Sequence, residues 1–397
     1  MSIAPEEGSN RWLLLASAMV SFFAVGMTFF AVPPLVGTLR AEFALSNLAI
    51  GLLMGAIAVP AVALSLPLGA ALDRWPPRAA GLAGLATMLA GSVMFAAAPG
   101  YGWLLAGRLV FGVGALLVNL LLARLLSVAF AGRELALAMG LFTATYPASM
   151  IALFTLHPVL EARLGWRGEM GLLVVLVVVA IPLHAVAAPR RLPQGPRRAG
   201  PGRGPRAFPA ALVALGVAWM LYFAAFAAAP TFGPEWAGGG AAGLLATSLI
   251  TWVALVGAPL VGVGIDRSGR PRLWCVAGLG VMAATLGLMA AGALPAAVAM
   301  AALGLAAAVV PPAVYSLPAR LVPPERTGFA FGFITALSNL GALAGPAFAG
   351  AVRDATPAWG PVWGCLAVAA LAGAAAAALV RFPPAGPVRP GPGSEAG

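Results

Sequence analysis

Residues 262–270 read Gly-Val-Gly-Ile-Asp-Arg-Ser-Gly-Arg, and they resemble the stretch Gly-Ala-Ala-Leu-Asp-Arg at residues 69–74. The two stretches begin 193 residues apart in a chain of 397. Each follows a long apolar run and places a carboxylate and an arginine directly behind it. Two shorter matches have nearly the same spacing: 138–144 with 330–336, and 123–125 with 319–321. The sequence is therefore predicted to contain two copies of one unit.

The composition excludes a water-soluble globule. Apolar residues make up 61% of the chain and charged residues 9%, and the mean hydropathy is +0.97. A soluble domain carries about a quarter charged residues. Since one helical span needs about 20 apolar residues, the chain has room for about 12 spans with short connections. Uniformly apolar runs of this length cross a bilayer only as helices, so the predicted fold class is an all-α membrane protein.

Breaks between the apolar runs divide the chain into twelve predicted spans, numbered 1 to 12 throughout. They cover residues 12–36, 46–72, 78–98, 102–125, 135–157, 169–188, 208–230, 241–265, 273–293, 295–318, 327–351 and 360–381.

The basic residues orient these spans. With a cytoplasmic N-terminus, the inside segments hold 18 of the 23 basic residues, all of them arginine, and the outside segments hold four. The positive-inside rule therefore places both termini in the cytoplasm, and it also accounts for the net charge of +11 without a nucleic-acid partner. We expect a six-helix bundle over 1–188, a flexible Pro- and Gly-rich cytoplasmic linker over 189–207, and a second bundle over 208–397 with a short disordered tail.

The repeated stretch resembles the signature of the major facilitator superfamily, Gly-x-x-x-Asp-Arg-x-Gly-Arg-Arg after span 2, repeated more loosely after span 8. The resemblance implies two pseudo-symmetric six-helix bundles that rock about a central cavity. It implies a cytoplasmic gate, with Asp73 facing residues 325–327 and Asp266 facing residues 132–134, where a helix N-terminus favours an anion. The gate residues are Gly69, Asp73, Arg74 and Arg78 in the first copy and Gly262, Asp266, Arg267, Gly269 and Arg270 in the second.

The first copy departs from the signature, because Trp75-Pro76-Pro77 replaces its internal glycine. The glycine at the start of each copy is expected to let a neighbouring helix approach closely. The alternative to a gate is that these charges only set the topology of the loops.

Arg108 is the one charge well inside a predicted span, and it matches the family's Arg-x-x-x-Gly-x-Gly element in span 4. A charge inside a membrane marks a functional position by default. We interpret Arg108 as a group that attracts an anion or couples conformations. The alternatives are a structural arginine bonded to backbone carbonyls of a neighbouring helix, or one that snorkels toward water.

The acidic residues and both histidines fall in loops, termini or span ends, including His157 and His184. A cationic cargo would therefore lack a buried counter-charge, and the pattern favours an anionic or neutral one. If transport is driven by protons, the proton has to travel with the substrate or use a group at a span boundary.

Polar side chains within the spans are candidates for the lining of the central cavity, although each is also a candidate for contacts between helices. Those predicted to face the cavity are Asn119, Thr143, Tyr146, Tyr222, Trp252, Tyr315, Ser338 and Asn339.

The sequence predicts a secondary or facilitative transporter of a small anionic or neutral organic solute, working by alternating access. The alternatives are export of hydrophobic small molecules or drugs, and a receptor-like relative that transports nothing. No lysine is present for a phosphate-binding loop and no His and Cys spacing fits a metal, so we expect neither an enzyme, nor a cofactor, nor a metal. We expect a monomer in a bacterial-type inner (plasma) membrane, with its substrate and the bilayer as partners.

Overall fold

A computed structural model describes residues 11–72, 74–131, 134–190, 210–322 and 326–380. These residues form helices and no strand. The helices are α1 Arg11–Phe29, α2 Val32–Phe43, α3 Asn47–Gly55, α4 Ala58–Leu72, α5 Pro77–Ala96, α6 Tyr101–Ala129, α7 Leu135–Ala187, α8 Ala210–Trp236, α9 Gly240–Ser268, α10 Pro271–Ala290, α11 Ala296–Tyr315, α12 Pro318–Leu321, α13 Thr327–Ala355 and α14 Trp359–Ala378.

Within the described residues, ten helices are long and apolar enough to cross a membrane, and the bent pair α3 and α4 adds an eleventh. The helices α1 and α2 together form span 1. Spans 7, 8, 9, 10, 11 and 12 correspond to α8, α9, α10, α11, α13 and α14. The all-α class predicted from hydropathy is confirmed.

The 53-residue helix α7 contains two spans. A continuous helix would separate residues 157 and 169 by about 18 Å, yet His157 Nδ1 lies 2.8 Å from a carboxylate oxygen of Glu169. Between them, Gly165 has the non-helical angles φ 65° and ψ 168°. The chain therefore folds back near Gly165, and spans 5 and 6 lie on either side of it. With this division the structure contains the twelve predicted spans.

Glycine allows the closest helix contacts inside the bundles. A Cβ on Gly91 of α5 would lie 2.6 Å from the carbonyl oxygen of Gly107 in α6, and one on Gly345 of α13 would lie 2.1 Å from that of Ala224 in α8. Small residues at such crossings let backbones touch, which is how helices associate in a bilayer. Gly341, Gly345 and Gly350 of α13 all approach neighbouring backbone this closely and form a close-packing face.

The two halves of the described chain, 11–190 and 210–380, make the same arginine contacts. In each half, one arginine at the start of the third span donates to a backbone carbonyl just after the helix of the sixth span. A second arginine, near the end of the fourth span, donates to a backbone carbonyl at the end of the second span. The pairs are Arg78 Nε with Ala188 (3.2 Å) and Arg272 Nη1 with Val380 (3.0 Å), then Arg124 Nη1 with Leu72 (3.1 Å) and Arg320 Nη1 with Gly269 (3.3 Å). The halves thus share side-chain contacts as well as helix order.

The end of the bundle that holds the connections 44–46, 97–100 and 356–358 is called the outer end below, after the predicted topology. The opposite end, with the repeated Asp-Arg stretches, is called the inner end. Between the halves, α3 and α4 pack against α13, and α7 packs against α9.

Candidate functional site

The outer end is closed by a carboxylate of one half bound to a helix start of the other. Asp354, in the last turn of α13, accepts hydrogen bonds from the backbone N–H groups of Asn47 and Leu48, both at 2.8 Å. The side-chain amide of Asn47 donates to the same carboxylate at 2.8 Å. The first N–H groups of a helix have no partner within it and carry partial positive charge. Asp354 therefore supplies an anion to the N-terminus of α3.

A second polar contact crosses the outer end beside the first. Arg40 of α2 contacts both carboxylate oxygens of Glu235 in α8, at 2.9 Å and 3.1 Å. Arg40 also donates to the side-chain carbonyl of Asn47. Both members of the ion pair are about one-third exposed, so they sit at the rim of the contact between the halves.

Backbone contact completes this closure. A Cβ on Gly51 of α3 would lie 2.1 Å from the carbonyl oxygen of Pro346 in α13, and one on Gly350 would lie 2.1 Å from that of Asn47. Such distances leave no space for a side chain. Spans 2 and 11 therefore meet backbone to backbone, and the structure shows the molecule closed at its outer end.

Arg108 is buried, with 1% of its surface exposed. Its Nε donates to the carbonyl of Leu53 at 3.1 Å, and Nη1 and Nη2 donate to Thr28 and Phe29 at 2.5 Å and 3.0 Å. Nη2 also reaches the carbonyl of Met54 at 3.2 Å. These carbonyls end α1 and α3, where the last turn of a helix leaves acceptors unpaired. Arg108 thus joins the breaks in spans 1 and 2 to span 4.

Two predicted cavity residues, Tyr222 and Tyr315, come together through Trp219. The ring of Trp219 stacks on Tyr222 at a centroid distance of 5.0 Å and meets Tyr315 edge-on at 5.6 Å. Tyr222 is 2% exposed and Tyr315 is 48% exposed. Phe226 stacks on the other side of Tyr222 at 5.6 Å. This group, called the aromatic cluster below, gives the C-terminal half a π surface with one open edge.

Tyr146 has a comparable setting in the N-terminal half. Its ring lies 5.2 to 5.8 Å from those of Phe22, Phe29 and Phe30. Trp219 and these phenylalanines were not singled out from the sequence, because an aromatic residue in an apolar span has no pattern that distinguishes a cavity wall from a lipid contact.

The remaining cavity candidates are not brought together. Asn119, Thr143 and Trp252 are exposed, and Ser338 is buried. Several of their polar groups are satisfied within their own helix: Thr143 donates to Met139 at 2.8 Å, Ser338 to Thr335 at 2.8 Å and Asn339 to Thr335 at 2.9 Å.

The inner-end motif is only partly described. Asp73 and most of the helix starts that it and Asp266 were predicted to face (132–133 and 325) lie outside the described residues. The side chain of Asp266 is exposed and forms no hydrogen bond or ion pair with any other described residue. Gly269 ends α9 in the left-handed conformation, with φ 63°. Arg74, Arg267 and Arg270 are exposed.

The close approach expected at the first glycine of each copy is absent from this conformation. A Cβ on Gly69 or Gly262 would meet no atom of the described residues within 4 Å. Arg78 bonds Ala188 of its own half rather than the opposite half. The described inner end therefore shows no contact of the kind that closes the outer end.

Sequence reasoning missed the buried groups at the outer end. Glu169 and His157 lie at predicted span ends, as the sequence indicated, but they are only 0% and 3% exposed, and this burial was not predicted. Their contact depends on the turn at Gly165, which no residue pattern within either span reveals. Among the described residues, no group of His, Cys, Asp and Glu is arranged to hold a metal ion.

Comparisons with known proteins agree with this architecture. The family model of the Major Facilitator Superfamily matches residues 16–235 and again residues 211–397. A single-residue mutant of the nucleoside transporter NupG superimposes with a TM-score of 0.76 at 12% identity, covering 93% of this chain and 99% of that one. The human organic anion transporter MFSD10 (TETRAN) gives a TM-score of 0.66 at 17% identity, with the same coverage. No curated protein matches the sequence.

The fold therefore defines a multi-pass membrane protein of the transporter class. The chain belongs to the Major Facilitator Superfamily.

Proposed function

We propose that the protein moves a small anionic or neutral organic solute across the membrane by alternating access, with the halves 11–190 and 210–380 rocking against each other. The observation that carries this proposal is the closure of the outer end by contacts that can separate. Asp354 binds the start of α3 without a covalent link, and the ion pair of Arg40 with Glu235 is partly exposed to solvent. Breaking both contacts and separating the backbones of spans 2 and 11 at Gly51 and Gly350 opens the outer end without unfolding a helix.

The inner end supports the same cycle from the other side. Asp266 is exposed and without a partner among the described residues while the outer end is closed. The signature of the family places a latch here, formed by Asp73 and Asp266 with their neighbouring arginines when the inner end closes. Only one end of the molecule is then held closed at a time. A coupling free energy of about 1–3 kcal/mol is enough to shift the equilibrium between the two conformations by one to two factors of ten.

The cargo class follows from the charges and rings that face the candidate cavity. The described carboxylates lie near helix ends or, for Glu161 and Glu169, near the turn at Gly165 at the outer end. The side chains predicted to line the cavity are aromatic, hydroxyl and amide groups. Arg108 adds a positive charge between spans 1, 2 and 4. An aromatic surface with hydrogen-bonding groups and no counter-charge for a cation suits an anionic or neutral organic molecule. The similar folds of an organic anion transporter and a nucleoside transporter are compatible with this class.

We also place the protein in a bacterial-type inner membrane as a monomer, with both termini in the cytoplasm. The excess of arginine in the segments at the inner end supports this orientation.

Flux into proteoliposomes tests the proposal. We expect uptake of at least one member of a panel of organic anions and nucleosides, and Asp73→Asn is expected to reduce it strongly because the inner latch loses its charge. Uptake confined to lipophilic compounds would favour export of hydrophobic molecules. Tight binding of a partner protein, without flux for any solute, would favour the receptor-like alternative.

A further inference from the structure

A buried histidine lies between two carboxylates at the outer end of the N-terminal half. His157 Nδ1 is 2.8 Å from Oε2 of Glu169, and its Nε2 is 3.1 Å from Oε2 of Glu161. The second oxygen of Glu161 accepts a hydrogen bond from the hydroxyl of Thr38 in α2. The second oxygen of Glu169 is buried and has no partner among the described residues. These residues are called the His157 cluster below.

The two contacts of the imidazole fix how many protons the cluster holds. A neutral imidazole has one N–H and one lone pair, and an ionised carboxylate only accepts. With both carboxylates ionised and the ring neutral, one ring nitrogen would face a carboxylate oxygen with no hydrogen between them. The observed geometry therefore needs one more proton, either on the ring or on one carboxyl group. Both arrangements have the same proton count and a net charge of −1.

We infer that the His157 cluster is a proton-binding site whose occupancy holds the outer end closed. The inference rests on the proposed alternating access, because it assigns a ligand to one of the two conformations. Without the proton the cluster carries a charge of −2, with Glu169 fully buried. Burying an unpaired charge is costly. This cost falls when the side chains of the cluster move apart, so loss of the proton favours their separation.

No other cation of the described residues compensates this charge. The elements packed against α7 are α1, α2, α5, α6 and α9. Their charged or titratable side chains are Arg11, Arg40, Glu42, Arg78, Tyr101, Arg108, Arg124, Asp266 and Arg267, and α7 itself adds Tyr146, Arg163, Arg167 and His184. Arg40 is paired with Glu235, and Arg167 with Glu42. Among the described residues, His157 is the only cationic group within ion-pair distance of Glu161 or Glu169.

A short path of polar contacts joins the cluster to the outer closure. Thr38, which donates to Glu161, lies two residues before Arg40 on α2. Arg40 holds Glu235 of the opposite half and also the side chain of Asn47. Separation of the cluster frees Thr38 and thereby the segment of α2 that carries Arg40. The proton and the closure are therefore linked through one helix turn.

The test measures the distance across the outer end as a function of pH. Spin labels are placed on Gly102→Cys, at the outer start of α6, and on Ala293→Cys, in the connection between α10 and α11, after Cys275 and Cys365 have been replaced by alanine. Both positions are exposed and they lie in opposite halves. Pulsed electron paramagnetic resonance then reports the closed and open populations over a series from about pH 5 to about pH 8. Since the closed form holds one proton more, its population relative to the open form should fall by up to about tenfold per pH unit.

Glu169→Gln is the decisive variant. A glutamine amide donates to Nδ1 of a neutral ring while Nε2–H donates to Glu161, so the variant reproduces the protonated arrangement without a titrating carboxyl. We expect it to stay closed across the whole pH range. His184→Gln, which changes the chain's other histidine at the inner end of the same helix, is the matched control and should keep the pH response of the unchanged protein.

Three outcomes would overturn the inference. They are a closed-to-open ratio independent of pH in a protein that still shows both populations, an unchanged pH response in Glu169→Gln, and closure at constant pH by sodium in place of choline. A failure of the proposed function gives a different result. The labels would then show a single distance across the outer end under every condition, and the protein would transport none of the solutes.

Discussion

Arg40 and Glu235 form a two-contact ion pair between positions 195 residues apart, a separation within the spacing of the internal repeat. Arg40 lies near the outer end of span 1, and Glu235 lies near the outer end of span 7. Where equivalent positions of two related units touch each other, they lie beside the axis that relates the units. The ion pair therefore connects the two halves at equivalent positions. We expect it to break early when the outer end opens.

Loss of this ion pair is predicted to open the outer end slightly. Pairs about one-third exposed contribute up to about 1 kcal/mol, so Glu235→Gln should raise the open population about fivefold or less. The exchanged variant, Arg40→Glu with Glu235→Arg, should recover part of the closed population. Label distances across the outer end measure both, and no recovery in the exchanged variant would mean that the charges act separately.

Gly51 is predicted to control the closure sterically. In Gly51→Ala, a new Cβ would lie 2.1 Å from a backbone oxygen of α13, which forces spans 2 and 11 apart. Gly37→Ala is the matched control, since Gly37 lies in a helix with no atom of the described residues within 4 Å of its Cβ. We expect outer opening in the first variant and unchanged or slightly higher thermal stability in the second. Equal distances across the outer end in the two variants would contradict the role of the backbone contact between spans 2 and 11 in closing it.

Arg108→Ala is predicted to destabilise the protein as a whole. It removes a donor from four carbonyls at two helix breaks, and unpaired buried acceptors cost about 1–3 kcal/mol each. Arg108→Lys should recover only part of the loss, because one ammonium group cannot span both breaks. Thermal unfolding in detergent measures the effect, with Arg163→Ala, at an exposed site, as control. A full recovery by lysine would show that the charge alone matters.

Tyr315 is predicted to contact the cargo at the open edge of the aromatic cluster. A solute that binds the folded protein raises its melting temperature according to its affinity, so a thermal-shift screen of organic anions and nucleosides should find stabilising compounds. Tyr315→Ala should reduce the shift, whereas Trp103→Ala, an aromatic residue 53% exposed at the outer start of α6, should not. Stabilisation by lipophilic cations alone would contradict the proposed cargo class.

Hydropathy and charge were sufficient to predict the spans, because both report directly on the cost of placing a group in a bilayer. The repeat predicted that the halves share a fold, and Arg78 and Arg272 indeed make the same contact in each half.

Tertiary pairing was not predictable in the same way. His157 and Glu169 each lie at the boundary of a predicted span. They form a buried pair only because the chain turns back at Gly165. The partner of Asp354 is a helix N-terminus, which attracts a carboxylate through backbone groups that no residue pattern specifies. No proline at 56–57 marks the break between α3 and α4 in the sequence. The carbonyls that Arg108 binds could therefore not be predicted from the sequence.

The most direct test of alternating access follows both ends of the molecule at once. One pair of labels spans the outer end at Gly102→Cys and Ala293→Cys, and a second spans the inner end at Ser127→Cys and Leu379→Cys, all exposed positions. Addition of a transported solute should lengthen one distance and shorten the other, as two halves that rock about a central cavity require. Both distances changing in the same direction, or neither changing in a protein that still transports, would contradict the rocking mechanism.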